Sequence, residues 1–340
     1  MKNTIRRLLL FGTITVILAF LLSTYKLPYY VYQPGSADPL TGVVEVEGAT
    51  ASEGQMHLVT VSGGQATPIR LLAAKLLPHH EIRRLEDVRP EGWTDEQYWH
   101  AQLQMMDSAQ KSATVVAYEA AGKDITIEYD GVYVVSVVEN MPADGKLMMG
   151  DRIVSVDGRE VKETSDLVDY VTAKSAGDTV EVEFIRDEEP GSETLTLAQF
   201  EDEDKVGVGI QLVADRQVKV QPEVTFSSGN IGGPSAGLIF ALEIYDQLIE
   251  EDLTKGYQIV ATGELDFEGN VIRIGGIDKK VVAADRQGCD IFFVPNENGA
   301  KGSNYEVAQQ TAEEIKTDME IVPVDTFQDA VDYMNQLDPK

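Results

Sequence analysis

The spacing of apolar residues changes several times along the chain, and each spacing predicts a different element. An almost uncharged apolar run over residues 8–24 predicts one helix at the N terminus. Residues 43–61 alternate between apolar and polar positions, as β-strands do. Helical spacing follows over 69–77 and again over 94–120, where Thr94 is a suitable N-cap. The first third of the chain therefore contains strands as well as helices.

The middle of the chain has a different pattern, dominated by short strands. Alternating, β-branched segments cover residues 132–138, 152–156 and 179–185. One short helix is predicted between them, over 164–174. This region is predicted to fold as a separate β-rich module.

The last third returns to a mixed pattern. A strand-like segment over 218–226 precedes an apolar helix over 238–245, and a second helix is predicted over 277–288. The single cysteine, Cys289, stands before the apolar run 291–294, so we expect it to be buried and not catalytic. Taken together, the patterns predict an α+β fold.

Basic residues at the N terminus precede the first apolar run. Lys2, Arg6 and Arg7 suggest that residues 1–7 stay in the cytoplasm and that 8–25 cross the membrane as a signal anchor. Seventeen residues from position 8 to 24 reach about 25 Å as a helix, which is short for a span. A cleaved signal peptide is the alternative. Both place the rest of the chain outside the cell.

The charge and the missing motifs argue against three kinds of ligand: nucleic acid, nucleotides and metal ions. A net charge of −29 makes nucleic acid an improbable partner, because phosphate binding needs a basic surface. No phosphate-loop motif with its lysine occurs, so we expect no nucleotide cofactor. His57, His79, His80 and His100 lack the spacing of metal ligands, so no metal site is predicted either.

A candidate nucleophile stands in a glycine-rich run before the apolar helix. Ser235 follows Pro234, which suits the first position of a helix, so we expect the serine to lie in the first helical turn. Unpaired N–H groups at that helix start, near Gly233 and Ser235, could stabilise an oxyanion. A Ser-His-Asp triad is an alternative, although no histidine follows His100.

A lysine is the better candidate base. In the helix over 277–288, Lys280 shares one face with Ile277, Val281 and Ala284, and burial on that face would lower its pKa. Lys279 falls on another face and is expected to be solvated and charged. The alternative is that Lys280 extends its amine to water from the helix edge.

Three motifs together resemble the proteolytic domain of the Lon family. They are Gly-Pro-Ser-Ala-Gly over residues 233–237, Ala-Thr-Gly-Glu-Leu over 261–265, and the segment 271–286 with its paired glycines and lysines. Their order and spacing agree with that family, and the similarity covers about 205–338. Strands within 40–120 also resemble the start of such a domain.

The resemblance implies roles for individual residues. Ser235 would be the nucleophile, Lys280 the base and Thr262 a neighbour of the lysine, with Gly233 in the oxyanion region. Many Lon enzymes have a charged residue directly before Gly-Pro-Ser, where this chain has Gly232. That difference leaves both catalytic positions intact and could alter cleavage preference.

Residues 121–200 are similar to a bacterial PDZ domain, a barrel-like β-sandwich. The resemblance is carried by 131–134, by Pro-Ala-Asp-Gly over 142–145 and by 150–158. It implies that the loop of Gly131, Val132, Tyr133 and Val134 binds the C-terminal end of a peptide. A purely structural role, shielding the protease cleft, is the alternative. Since protease-like segments flank it, the module is expected to be inserted into the protease domain.

These features predict a membrane-anchored serine endopeptidase that works without ATP. Its substrates would be flexible secreted peptides or exported proteins, bound outside the cell. Residues 26–39, which include Pro34 and Gly35, are expected to form a linker after the anchor. Lon relatives form rings, so a homo-oligomer is a candidate assembly. The alternative function is a catalytically silent PDZ scaffold.

Overall fold

The computed structural model describes residues 2–49, 52–89, 93–138, 140–200 and 205–340. Within these ranges the α-helices are α1 (Lys2–Thr24), α2 (Pro68–Leu76), α3 (Asp95–Ala120), α4 (Thr164–Thr172), α5 (Gly237–Leu248), α6 (Ile277–Gln287), α7 (Asn304–Ile315) and α8 (Phe327–Asn335). The β-strands are β1 (Tyr29–Pro39), β2 (Val44–Val46), β3 (Gln55–Gln65), β4 (Glu81–Arg84), β5 (Ile125–Val137), β6 (Arg152–Val156), β7 (Arg159–Glu160), β8 (Thr179–Arg186), β9 (Glu189–Thr196), β10 (Ala198–Gln199), β11 (Val206–Gly207), β12 (Ile210–Val220), β13 (Val224–Phe226), β14 (Gln258–Ala261), β15 (Glu264–Leu265), β16 (Val271–Ile272), β17 (Ile291–Pro295) and β18 (Glu320–Val324).

A six-stranded central sheet joins the two ends of the chain. Its strand order is β18-β17-β14-β3-β1-β4. The strands β3, β14, β17 and β18 are parallel to their neighbours in this series, whereas β1 is antiparallel to both β3 and β4. Strands from before residue 85 and from after residue 257 therefore belong to one sheet.

Both faces of the central sheet are covered, because successive strand residues point to opposite sides. In β14, Ile259 packs into the core with α3, α5 and α8, whereas Val260 packs into the core with α6 and α7. In β17, Phe293 likewise packs on the side of α3, α5 and α8, and Phe292 packs on the side of α6 and α7. A strand buried on both faces explains the continuous apolar run 291–294. Cys289 is buried in the α6 layer, as expected.

The second sheet is antiparallel and has its own core. Its strand order is β12-β5-β6-β8-β9, with β7 paired to β6. Val132, Val134, Ile153 and Leu195 fill its interior together with Leu167 of α4. In sequence this sheet lies between β4 and β14, so it is inserted between the two halves of the central sheet.

The expected linker over 26–39 is wrong for most of its length, because 29–39 form β1. The four residues Tyr-Tyr-Val-Tyr at its start favour a strand. Pro34 does not end the strand, since the register of β1 against β3 shifts between Pro34 and Ala37 and the pairing then resumes. Such a bulge accommodates a proline within a sheet.

The predicted membrane span over 8–25 is not borne out. The helix α1 covers residues 8–24 of this run. However, no helix in the described part of the chain combines the length and the apolar character needed to cross a membrane.

Candidate active site

The turn between β13 and α5 carries Ser235. The helix begins at Gly237, three residues after Pro234, which was expected at its first position, so the serine lies in the turn before the helix. Its carbonyl oxygen accepts hydrogen bonds from the N–H of Gly263 at 3.0 Å and from Oγ1 of Thr262 at 3.1 Å. The nucleophile's backbone is therefore fixed to the segment that follows β14.

Lys280 reaches this serine from the first turns of α6. Its Nζ lies 2.7 Å from Oγ of Ser235 and 2.8 Å from Oγ1 of Thr262. The lysine is only 3% exposed, and this burial lowers its pKa from the ordinary value to about 7. The structure thus brings Ser235, Lys280 and Thr262 together, and Lys280 does not extend to water.

Lys279 is not solvated, contrary to the sequence expectation. It is also 3% exposed, and its Nζ lies 2.8 Å from Oε2 of Glu81 and 3.1 Å from both carboxylate oxygens of Asp278. Both Lys279 and Ala283, which share a face, are buried. The helix α6 is covered on this face as well, because it packs beside β1.

The expected role of Gly233 as an oxyanion donor is wrong for its N–H group. That N–H already donates to the carbonyl oxygen of Gln102 in α3 at 2.8 Å. The N–H groups of Ser235 and Ala236, in contrast, have no acceptor among the residues that the structure describes. These two groups stand at the start of α5, where a developing negative charge would be favoured.

A cleft of about 870 Å³ opens at the serine. One wall is aromatic and comes from β1 and the first turns of α3, with Tyr30, Tyr32, Tyr98 and Trp99. Burial raises the pKa of both Tyr30 and Tyr32, so these phenols stay neutral. The rest of the lining includes polar side chains such as Gln33, Thr60 and Asn230, so the cleft offers both apolar surface and hydrogen-bonding groups.

Glu264 and Arg273 border the same cleft. Burial raises the pKa of Glu264, with a smaller contribution from Asp266. Arg273 donates to Oε2 of Glu297 at 2.8 Å and to the carbonyl of Gly302. Sequence reasoning did not identify these two residues as part of the site, although each lies within the motifs that carry the resemblance.

The segment Gly131–Val134 does not form a free loop. It lies within β5 and pairs with β12 on one side, while Val132 and Tyr133 pair with β6 on the other. A Cβ on Gly131 would lie 2.3 Å from the carbonyl oxygen of Ile153, so the glycine is required for close strand packing. The expected peptide-binding role of this segment is therefore wrong.

Another strand of the same sheet is paired on one side only within the described residues. The strand β12 is one of the two edge strands of the second sheet and lies beside α4. Directly before it, the N–H groups of Val208 and Gly209 have no acceptor within the described residues. The sequence there is Gly-Val-Gly-Ile over residues 207–210, and the acidic segment 201–204 separates it from the other motifs of this module.

Two family models match the chain. Residues 102–197 match the PDZ domain, and residues 201–336 match the Lon protease (S16) C-terminal proteolytic domain. The two matches follow one another along the chain, in agreement with the order of motifs in the sequence.

Curated relatives match over limited lengths. The Lon protease of Aster yellows witches'-broom phytoplasma is 33% identical over 97 residues, which is 28% of this chain and 11% of that protein. The Lon protease of Campylobacter jejuni is 26% identical over 185 residues, 46% of this chain and 22% of that protein. The chain thus spans less than a quarter of the length of these relatives.

Solved structures of PDZ domains are similar to about a quarter of this chain. The PDZ domain of the SdrC-like protein from Listeria monocytogenes is 34% identical, covers 26% of this chain and 93% of that chain, and has a TM-score of 0.25. The corresponding domain from Listeria innocua is 35% identical, covers 24% and 93%, and has a TM-score of 0.24.

Proposed function

Because the chain carries a PDZ domain together with a Lon-type C-terminal proteolytic domain, we propose that it is a serine endopeptidase with a Ser235-Lys280 dyad. One observation carries the proposal. The amine of Lys280 lies 2.7 Å from the serine hydroxyl, and burial lowers the pKa of that amine to about 7. A lysine in this state is partly neutral at physiological pH and can accept a proton.

In the proposed reaction, Oγ of Ser235 attacks the substrate's carbonyl carbon while neutral Lys280 takes the hydroxyl proton. The N–H groups of Ser235 and Ala236 stabilise the resulting oxyanion. The lysine ammonium then gives its proton to the leaving amine as the peptide bond breaks, which forms an acyl-enzyme. Water hydrolyses this ester, with Lys280 again acting as base, and the serine hydroxyl is restored.

The alternative, a catalytically silent PDZ scaffold, is less favoured by the burial of Lys280. A buried amine with a lowered pKa costs stability, and a scaffold gains nothing from it. Such perturbed groups in a cleft are typical of active sites. The scaffold hypothesis can still be tested, because it predicts that the protein has no Ser235-dependent cleavage.

We further propose that the substrates are flexible peptides or loosely folded proteins, cleaved without ATP. The proposal is supported by the missing phosphate-loop motif in the sequence. Peptide ends would bind along β12 and α4, with the C-terminal carboxylate held by the N–H groups of Val208 and Gly209. The carboxylate contact is the part of this proposal that a binding experiment can test.

Export from the cytoplasm also remains a proposal. It is supported by the basic residues Arg6 and Arg7 in front of an apolar run, an order shared by anchors and cleaved signal peptides. Protease added outside intact protoplasts should digest the body of an exported chain. Full protection would place the enzyme in the cytoplasm.

The test of the central proposal compares the native chain with Ser235→Ala on a fluorogenic, unstructured peptide. The substitution removes one half-buried hydroxyl, so circular dichroism and the melting temperature should stay close to native. Cleavage should fall by about 1,000-fold or more. Activity above a few per cent of the native rate in this variant would reject Ser235 as the nucleophile. EDTA and added ATP should both leave the native rate unchanged.

A further inference from the structure

The loop that carries Ser235 packs against α3 so closely that one residue has no room for a side chain. A Cβ on Gly232 would lie 2.7 Å from Cβ of Gln102 and 3.2 Å from its carbonyl carbon. The next residue, Gly233, donates its N–H to the carbonyl oxygen of Gln102 at 2.8 Å. Two consecutive loop residues therefore contact one residue of the helix.

The same helix holds the chain that leads to this loop at two earlier points. The hydroxyl of Tyr118 donates to the carbonyl of Pro222 at 2.6 Å, and Nε2 of Gln110 donates to Oγ of Ser228 at 3.0 Å. With Gln102, the contacts recur every eight residues, about 12 Å apart along a helix. The chain from 222 to 233 thus runs along α3 towards the nucleophile.

The helix itself is firmly anchored. Ala113, Ala117 and Tyr118 are fully buried in the main core, where α3 packs against α5. A capping box between Thr94 and Gln97 stabilises its N terminus. When a steric conflict arises between α3 and the loop, the loop is therefore expected to move.

We propose that Gln102 is a positioning residue for Ser235. Its backbone and Cβ fix Gly232 and Gly233, and this contact sets Oγ of Ser235 against Lys280. The inference rests on the proposed peptidase function and adds the element that aligns its nucleophile. It also accounts for glycine at position 232, where the resemblance leads one to expect a charged residue. A larger side chain does not fit beneath α3.

The contact can be tested because Gly232 does not adopt the left-handed conformation, so alanine there has no backbone strain of that kind. Any loss in Gly232→Ala comes from the conflict with Gln102. Displacement of a reacting group by about 1 Å can reduce a rate by about 100-fold. We expect kcat of Gly232→Ala to fall by about that factor, with KM changed less, because the cleft walls from β1 and α3 stay in place while the loop beside Ser235 moves.

A second substitution provides the matched control. In the Gly232→Ala background, Gln102→Gly removes the 2.7 Å contact, whereas Gln102→Ala keeps the offending Cβ. We expect the glycine to restore kcat about tenfold and the alanine to restore nothing. Recovery would be partial, because the contact of 3.2 Å to the Gln102 carbonyl carbon persists and glycine weakens the helix.

The experiment measures kcat and KM of the full chain on one fluorogenic peptide, with circular dichroism as the check on folding. Native activity in Gly232→Ala, or equal recovery by both second substitutions, would overturn the proposal. If Gly232→Ala does not fold but its Gln102→Gly partner folds and cleaves, the contact is supported. If neither folds, the contact is structural and the positioning role is rejected.

Failure of this inference is distinct from failure of the proposed function. Absence of Ser235-dependent cleavage in the native chain would reject the peptidase itself. Ser235-dependent cleavage that is indifferent to Gly232→Ala would leave the peptidase intact and reject only the role of Gln102.

Discussion

Nζ of Lys280 lies 2.8 Å from Oγ1 of Thr262, and the threonine hydroxyl donates its own proton to the carbonyl oxygen of Ser235. A hydroxyl has one proton, so Thr262 accepts a hydrogen bond from the lysine. One N–H of the neutral amine is thereby fixed in direction. The lone pair of the amine is then free to face the hydroxyl of Ser235.

This geometry predicts a difference between two substitutions of Thr262. Thr262→Ser keeps the hydroxyl and should retain most of the native kcat. Thr262→Val keeps the branched shape but loses the acceptor, so the amine is no longer oriented and kcat should fall by about 10- to 100-fold. Steady-state kinetics of both variants checks this. Equal kcat values for Ser and Val would contradict an orienting role.

The lowered pKa of Lys280 predicts the pH dependence. Below about pH 7 the amine is protonated and cannot accept the serine proton, whereas above it the amine is neutral. We expect kcat/KM to rise about tenfold per pH unit on the acid side and to level off above the apparent pKa near 7. Glu264 borders the same cleft with a raised pKa, so Glu264→Gln is the control. An apparent pKa that disappears in this variant would assign the titration to Glu264.

The two adjacent lysines should respond oppositely to the same substitution. Lys280→Met should be inactive but more stable by about 1 to 3 kcal/mol near pH 7, because a buried amine is replaced by an apolar side chain. Lys279→Met should be less stable by about 1 to 2 kcal/mol, since Glu81 and Asp278 lose their buried cation. Denaturant unfolding of both variants measures these changes.

The stability of the native chain should also depend on pH through Lys280. Its pKa is about 7 when folded, below the ordinary value of 10.5, so the unfolded chain binds more protons between these values. This group therefore makes the free energy of unfolding rise with pH over that window. Lys280→Met should remove this slope. The same slope in both proteins would argue against a buried, neutral amine.

Sequence reasoning located Ser235 and Lys280 because local patterns identify them. A serine beside a helix start and a lysine within an apolar helix face are both visible over about ten residues. The burial of Lys279 and its ion pairs cannot be predicted from such a local pattern. Its partner Glu81 is 198 residues distant in sequence, and helix spacing alone cannot show that a second face is covered.

The position of Gly131–Val134 inside the sheet is not visible in the sequence for a related reason. Gly131 is needed because β6 approaches its backbone closely. A glycine in a binding loop is needed instead so that a ligand can approach the backbone. A glycine gives the same signal in both cases. The two cases are distinguished by the position of β5, which is paired on both sides. This position in the strand order cannot be derived from the composition of one strand.

The proposed peptide site along β12 gives the last prediction. If the N–H groups of Val208 and Gly209 hold a terminal carboxylate, a peptide with a free C terminus should bind more tightly than the same peptide with a C-terminal amide. The loss of a charge-assisted contact should weaken binding by about tenfold or more, which corresponds to about 1.4 kcal/mol. Fluorescence anisotropy with the Ser235→Ala chain measures affinity without cleavage. Acetylation of the peptide's N terminus is the control and should change little. If the acid and the amide bind equally, the second sheet does not recognise C-terminal ends, and its structural role over the cleft becomes the better explanation.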